Sequence, residues 1–139
     1  MNANEMDPDL PHRVLAACLA VHECLGPGLL REVYEECLAL ELRELEMVFV
    51  RGDSLKFDYR GKQVTGAARL DLVVEGALLV QVLAQDEVQA LDLARVEGLL
   101  RLSGLRSGLL VNFNVVALRK GVHRVTLKRR TEAGKGGAA

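Results

Sequence analysis

The residues with the clearest chemical reading are Asp71, Gln81 and Leu83. Ala68-Arg69-Leu70-Asp71-Leu72-Val73-Val74 and Leu78-Leu79-Val80-Gln81-Val82-Leu83-Ala84-Gln85 lie either side of a short turn at Glu75-Gly76. They read as a hairpin of two apolar strands. A hairpin that holds Mg²⁺ for hydrolysis needs Asp on its first strand and Glu-x-Lys on its second. The carboxylates anchor the cation, and the lysine positions or activates the attacking water. Here Asp71 is the only one of those groups present. Gln81 offers a neutral amide and Leu83 an isobutyl group. The frame of a hydrolytic site is there and most of its chemistry is not.

Other reactive side chains are scattered. His22 has no second His or acid at ligand spacing and reads as a packed, hydrogen-bonded residue; His12 and His123 read as surface residues. Cys18, Cys24 and Cys37 are odd in number and lack C-x-x-C spacing, so they read as reduced, mostly buried thiols of a cytoplasmic protein. Gly26-Pro27-Gly28 is no phosphate loop, because the spacing and the Lys of one are missing. Tyr34 either hydrogen-bonds in a cleft or fills core volume. Lys128, Arg129 and Arg130 are the residues expected to touch a nucleic acid, if any does. That run is short, without interleaved aromatics, in a chain of net charge −1, so nucleic acid is not the favoured partner.

The elements that must position these groups follow from periodicity. The chain has 139 residues, enough for one domain with a sizeable core, and that core must be aliphatic, since aromatics make up only 4%. No apolar run approaches the roughly 20 residues of a membrane span, and the acidic N-terminus is no secretory signal. Residues 1–9 are expected to be disordered, 10–128 to form the domain, and 129–139 a flexible basic, Gly-rich tail. Val14, Ala17, Cys18, Val21 and Leu25 recur at helical spacing until Gly26-Pro27-Gly28 breaks the helix. A second helix is predicted over 29–45, with Leu30, Val33, Tyr34, Cys37, Leu38, Leu42 and Leu45 inward and charges opposite.

The period then changes to 2. Strands are predicted at 47–50, 55–59, 63–74 (bulged near Gly66) and 77–83. A third helix is predicted over 87–103, capped near Asp86, with Val88, Leu91, Ala94, Leu99 and Leu102 inward and Gly104 as its stop. Strands at 108–114 and 122–127 close the domain. The expected fold is α/β, in the order ααββββαββ, with a mixed central sheet flanked by helices. Charge is uneven along the chain: residues 1–46 hold ten acids against three bases, and residues 117–139 hold seven bases against Glu132 alone.

Val21-His22-Glu23-Cys24-Leu25-Gly26-Pro27-Gly28-Leu29-Leu30-Arg31-Glu32-Val33-Tyr34-Glu35 resembles the signature of the GxxExxY proteins, small bacterial domains of the PD-(D/E)XK nuclease-like superfamily. Arg69-Leu70-Asp71-Leu72-Val73-Val74 and Ser103-Gly104-Leu105-Arg106-Ser107-Gly108-Leu109-Leu110-Val111-Asn112-Phe113-Asn114 continue the likeness, which covers roughly residues 12–128. The resemblance implies a single PD-(D/E)XK-like domain with Asp71 as the metal-binding aspartate. It also locates the departures. Arg31 stands where the family's naming glutamate would be, with Glu32 turned about 100° away on the helix. Gln81 and Leu83 stand for Glu-x-Lys, and Arg95 and Leu99 for a Gln and a Tyr of the third helix.

Arg31, Asp71, Gln81, Leu83 and Arg95 thus read as vestigial positions of a dismantled site, with Asp71 paired to Arg95 and no cofactor required. The expected role is non-enzymatic: binding a protein partner, or self-association in which the acidic second helix meets the basic tail. The alternatives are a divergent Mg²⁺- or Mn²⁺-dependent nuclease using Asp71, Glu32 and Arg95, with Asp86 or Glu87 in reach, or a nucleic-acid binder that does not cut.

Overall fold

The computed structural model of the chain describes residues 6–128. Three helices, α1 (Leu10–Leu25), α2 (Arg31–Glu44) and α3 (Ala90–Ser103), flank five strands: β1 (Phe49–Tyr59), β2 (Lys62–Val74), β3 (Leu78–Leu83), β4 (Ser107–Asn112) and β5 (Val122–Thr126). The sheet order is β1-β2-β3-β4-β5, with β3 and β4 parallel and the other neighbours antiparallel. α3 is the crossover between the two parallel strands, which require such a long connection. The α/β fold class and mixed sheet are as the sequence implies. Among the described residues no helix is long and apolar enough to cross a membrane.

Two cores form because the sheet is covered on both faces. On one, Val14, Cys18 and Val21 of α1 and Tyr34, Leu38 and Leu42 of α2 meet Leu72, Val80, Leu109 and Val111. On the other, Val96, Leu99 and Leu100 of α3 meet Leu55, Leu79 and Leu110. β4 is buried at every position, as a central strand with helices on both sides must be. Its last residue, Asn112, is 1% exposed and clamps the end of β3. Its Oδ1 accepts from the Gln85 amide at 3.0 Å and its Nδ2 donates to the Gln85 carbonyl at 2.8 Å. Gly121 packs on this residue so closely that a Cβ there would sit 2.1 Å from the Asn112 carbonyl oxygen.

Several sequence expectations need correction. The strands expected at 47–50 and 55–59 are one strand, β1; paired to β2 along its length, it gains no break from Gly52 or Asp53. The expected bulge is present: the register jumps from Ser54–Arg69 to Lys56–Thr65, and Gly66 has φ +80°. α3 starts at Ala90, not 87, and its cap is not Asp86. Gln89 and Asp92 cap it reciprocally as a capping box. Its inward stripe is Val96, Leu99 and Leu100, whereas Leu91 and Leu102 are 64% and 45% exposed. In α2 the inward face is Tyr34, Glu35, Leu38, Ala39 and Leu42, so Leu30, Val33 and Leu45 face water.

Cys18 is buried, and burial pushes its thiol up to about 12, while Cys37 is half-buried and Cys24 exposed. Of the N-terminal segment expected to be disordered, Met6 packs against the first core and the Asp9 amide donates to Asp7. Residues 1–5 and 129–139, with Arg129 and Arg130, lie outside the described residues.

Candidate functional site, a cleft closed by arginines

The β2–β3 ladder runs only from Val74–Leu78 to Leu72–Val80, and Asp71 is the first residue beyond it. There the two strands part, and side chains take over the backbone groups that separation would leave unpaired. Gln81 Oε1 accepts from the Asp71 amide at 2.7 Å, and its Nε2 donates to the Arg69 carbonyl at 3.3 Å. Asp71 Oδ2 in turn accepts from the Val82 amide at 2.9 Å. From α2, Arg31 Nε donates to the Val82 carbonyl at 3.0 Å. Gln81 is therefore a strut across the fork of the sheet. A carboxylate at that position lacks the N–H needed for the Arg69 carbonyl.

A second acid lies beside the fork. Glu35 is on the inward face of α2, and its side chain is 1% exposed. Its Oε1 accepts from Arg31 and from Arg69 Nη1 (2.7 Å), and its Oε2 from Arg51 Nε (2.7 Å) and Arg69 Nη2 (2.8 Å). Asp71 is held by the same cations: Arg69 Nη1 reaches Oδ1 at 2.6 Å and Arg31 Nη2 lies 3.2 Å from Oδ2. Arg51 also binds the exposed Glu36 at 2.8 Å. Gly52, opposite in β1, leaves room for the Arg69 guanidinium: a Cβ there would meet its Nη2 at 3.1 Å.

The electrostatics follow from this geometry. Burial by itself raises the Glu35 pKa. Hydrogen bonds from Arg69 and Arg51 and the charges of Arg31 and Arg69 outweigh it and bring the carboxyl down to about 2. The same bonds raise the Arg69 and Arg51 guanidiniums above their ordinary value, with Glu35 the main cause for both. Two carboxylates at the fork are thus matched by three guanidiniums, with Glu36 outside them. The cleft they line, with Glu32 at its rim, has a volume of about 410 Å³.

Mg²⁺ takes oxygen ligands and is usually anchored by carboxylates that are free to ligate it. Each oxygen of Asp71 and Glu35 already accepts from guanidinium or amide N–H groups, and three guanidiniums occupy the space around them. The donor set does not fit a divalent cation. Among the described residues no group of three or more His, Cys, Asp or Glu side chains is placed to hold one.

The structure gathers Arg31, Asp71 and Gln81 at the fork and leaves the other expected positions outside it. Arg95 does not pair with Asp71; it lies on the exposed side of α3 and binds Asp92 at 3.2 Å, one turn away. Leu83 packs with the second core, and Leu99 is buried there. Glu32 is exposed and makes no hydrogen bond among the described residues, as its rotation on the helix implies. Asp86 and Glu87 lie instead with Asp92 and Arg95 around a different cavity. Tyr34 both hydrogen-bonds and fills the core. Its hydroxyl donates to the Gly26 carbonyl at 2.6 Å and accepts from the Leu29 amide at 3.1 Å, and its ring stacks on Phe113 at 4.8 Å. His22 is buried and 2.7 Å from the Val115 carbonyl, a packing role; His12 is exposed, and His123 is half-buried rather than a surface residue.

Glu35, Arg51 and Arg69 escaped the sequence reading. A signal existed for Glu35, which lies three residues before Leu38 and seven before Leu42, on the buried stripe. The two arginines carry no local signal, since their meeting depends on the pairing of β1 with β2. A model of the PD-(D/E)XK nuclease superfamily matches residues 8–125. No curated protein and no solved structure matches. The match covers α1 through most of β5, including every residue of the fork, and the chain belongs to the PD-(D/E)XK nuclease superfamily.

Proposed function

We propose that this chain is a catalytically silent member of its superfamily, of the GxxExxY type, that works by binding protein or by self-assembly. One observation carries the reading: Asp71 and Glu35, the buried acids of the cleft, are neutralised from within the fold by Arg31, Arg51 and Arg69. Arginine stays protonated at all ordinary pH, so none of these side chains can act as a base toward water. Gln81 serves the backbone and Leu83 the core, which leaves Asp71 with no catalytic partner at its fork. The divergent nuclease needs Asp71, Glu32 and Arg95 together, and Arg95 is engaged at another cavity. In this reading no cofactor is needed.

The test is cleavage of supercoiled plasmid and single-stranded DNA with Mg²⁺ and with Mn²⁺, with Asp71→Ala run alongside. The expected result is no cleavage, or equal trace cleavage in both proteins. Cleavage that disappears in Asp71→Ala overturns the proposal.

A further inference from the structure

Two surfaces of the chain carry apolar side chains ringed by opposite charge. α2 lies over β1–β3, tied to them through Glu35, and its outward side carries Leu30, Val33 and Leu40 at 72%, 38% and 50% exposure. Glu41 and Glu44 lie beside these residues on the same helix, while Glu36 is held by Arg51. At the other end of the sheet, α1 and β5 leave an apolar cavity of about 240 Å³ lined by Leu15, Leu19, Leu118 and Val122, with Arg119 at its rim. Leu19 is 48% exposed. Val122 and Arg124 share a face of β5, two residues apart, so Arg124 extends that rim. No acid occurs between Glu97 and Glu132, a stretch that holds eight bases. β5 also has no strand on its outer side among the described residues.

We propose that the α1–β5 cavity is a docking site for α2 of a second copy of this chain. The inference rests on the assembly reading above and specifies its surfaces. Leu40 enters the apolar cavity, Val33 and Leu30 cover the apolar surface beside it, and Glu41 and Glu44 meet Arg119 and Arg124. Such pairing puts opposite potentials face to face and leaves exposed apolar side chains covered. The two patches are different parts of the chain, so the contact is heterologous. Every copy keeps one free donor and one free acceptor, and assembly continues into a ring or a filament.

The experiment uses sedimentation velocity of the full chain at rising concentration. The variants are Arg119→Glu with Arg124→Glu, and Glu41→Lys with Glu44→Lys, each checked by circular dichroism for an unchanged melt. Wild type is expected to grow in mass with concentration, and less so in 1 M salt. Each variant alone should associate at least tenfold more weakly. Mixed in equal amounts, they should again grow in mass with concentration, because the intact acidic helix of one meets the intact basic rim of the other and the two reversed surfaces also carry opposite charge.

A wild type that stays monomeric overturns the proposal together with self-assembly. Association that survives in both variants overturns these surfaces and leaves assembly standing. Loss in both variants without recovery on mixing also overturns the head-to-tail contact. So does a monomeric wild type whose Arg119→Glu, Arg124→Glu variant loses binding to a DNA duplex, which would assign the basic rim to phosphate.

Discussion

Replacing Glu35 with Gln tests the arginine network at its centre. In the fold this carboxyl titrates near 2, and in the unfolded chain it returns to its ordinary 4.5. The native state therefore binds that proton more weakly than the unfolded state. The stability it confers is complete above pH 4.5 and is lost as pH falls toward 2. Fully expressed, the difference is worth about 3 kcal/mol. The three arginine side chains are 28%, 30% and 47% exposed. Water screens them, and about 2 kcal/mol is the working figure.

Glu35→Gln removes this term and also leaves three guanidiniums around a neutral amide whose NH₂ points at donors. The expected loss at pH 7 is about 2 to 3 kcal/mol. Urea unfolding at pH 7, 4.5 and 3 measures both effects. Wild type should fall more steeply between pH 4.5 and 3 than the variant, which lacks the titrating group. A variant within about 0.5 kcal/mol of wild type at pH 7, with the same decline in acid, would refute the reasoning.

Other substitutions probe single contacts. Gly121→Ala drives a methyl into the Asn112 carbonyl and should cost about 3 kcal/mol or more, read as a lower urea midpoint. An unchanged midpoint would mean that the backbone yields easily. Tyr34→Phe orphans the Leu29 amide and the Gly26 carbonyl and should cost about 1 to 3 kcal/mol by the same measurement. Arg31→Glu combined with Gln81→Glu restores two acids to the fork. It should acquire a Mn²⁺-dependent rise in melting temperature that wild type lacks, and a flat response would count against the cleft as a former metal site. With a thiol reagent, Cys24 should react at once and Cys18 only at the rate of unfolding.

The elements that could be read from sequence are those whose signal is local. α1 shows its stripe in Val14, Cys18 and Val21 because nothing charged interrupts it, and Gly26-Pro27-Gly28 ends it. β3 is apolar at every position but Gln81, and β4 carries Leu109-Leu110-Val111 at its centre, which is how covered strands read. α2 was rotated in the reading because Leu30, Val33 and Leu45 are apolar yet exposed, while Glu35 is charged yet buried. Hydrophobic periodicity mistakes such a helix, since it assigns every leucine to the core.

The site was legible in its losses and not in its replacements. Gln81 and Leu83 were visible as departures from Glu-x-Lys. The contacts that replace them were not, because the Gln81 strut and the bonds of Glu35 to Arg51 and Arg69 join residues 10 to 34 apart. The Asp71–Arg95 pairing failed for a related reason: Asp92, three residues from Arg95 on the same helix, is the nearer partner.

The fork has a mechanical consequence. β1 and β2 form a long ribbon, and three residue pairs join its base to the rest of the sheet. Beyond Leu72 the ribbon has no ladder pair to β3 and is held there by the Gln81 strut, by Leu55 packed on α3 and by the arginine network. Glu35 and Asp71, reached by arginines from α2, β1 and β2, act as a latch across the gap. Amide exchange should accordingly divide the sheet into a slow body of β3 and β4 and a ribbon that opens more readily. In Glu35→Gln the ribbon's exchange should quicken more than the body's, as a lever freed at one end.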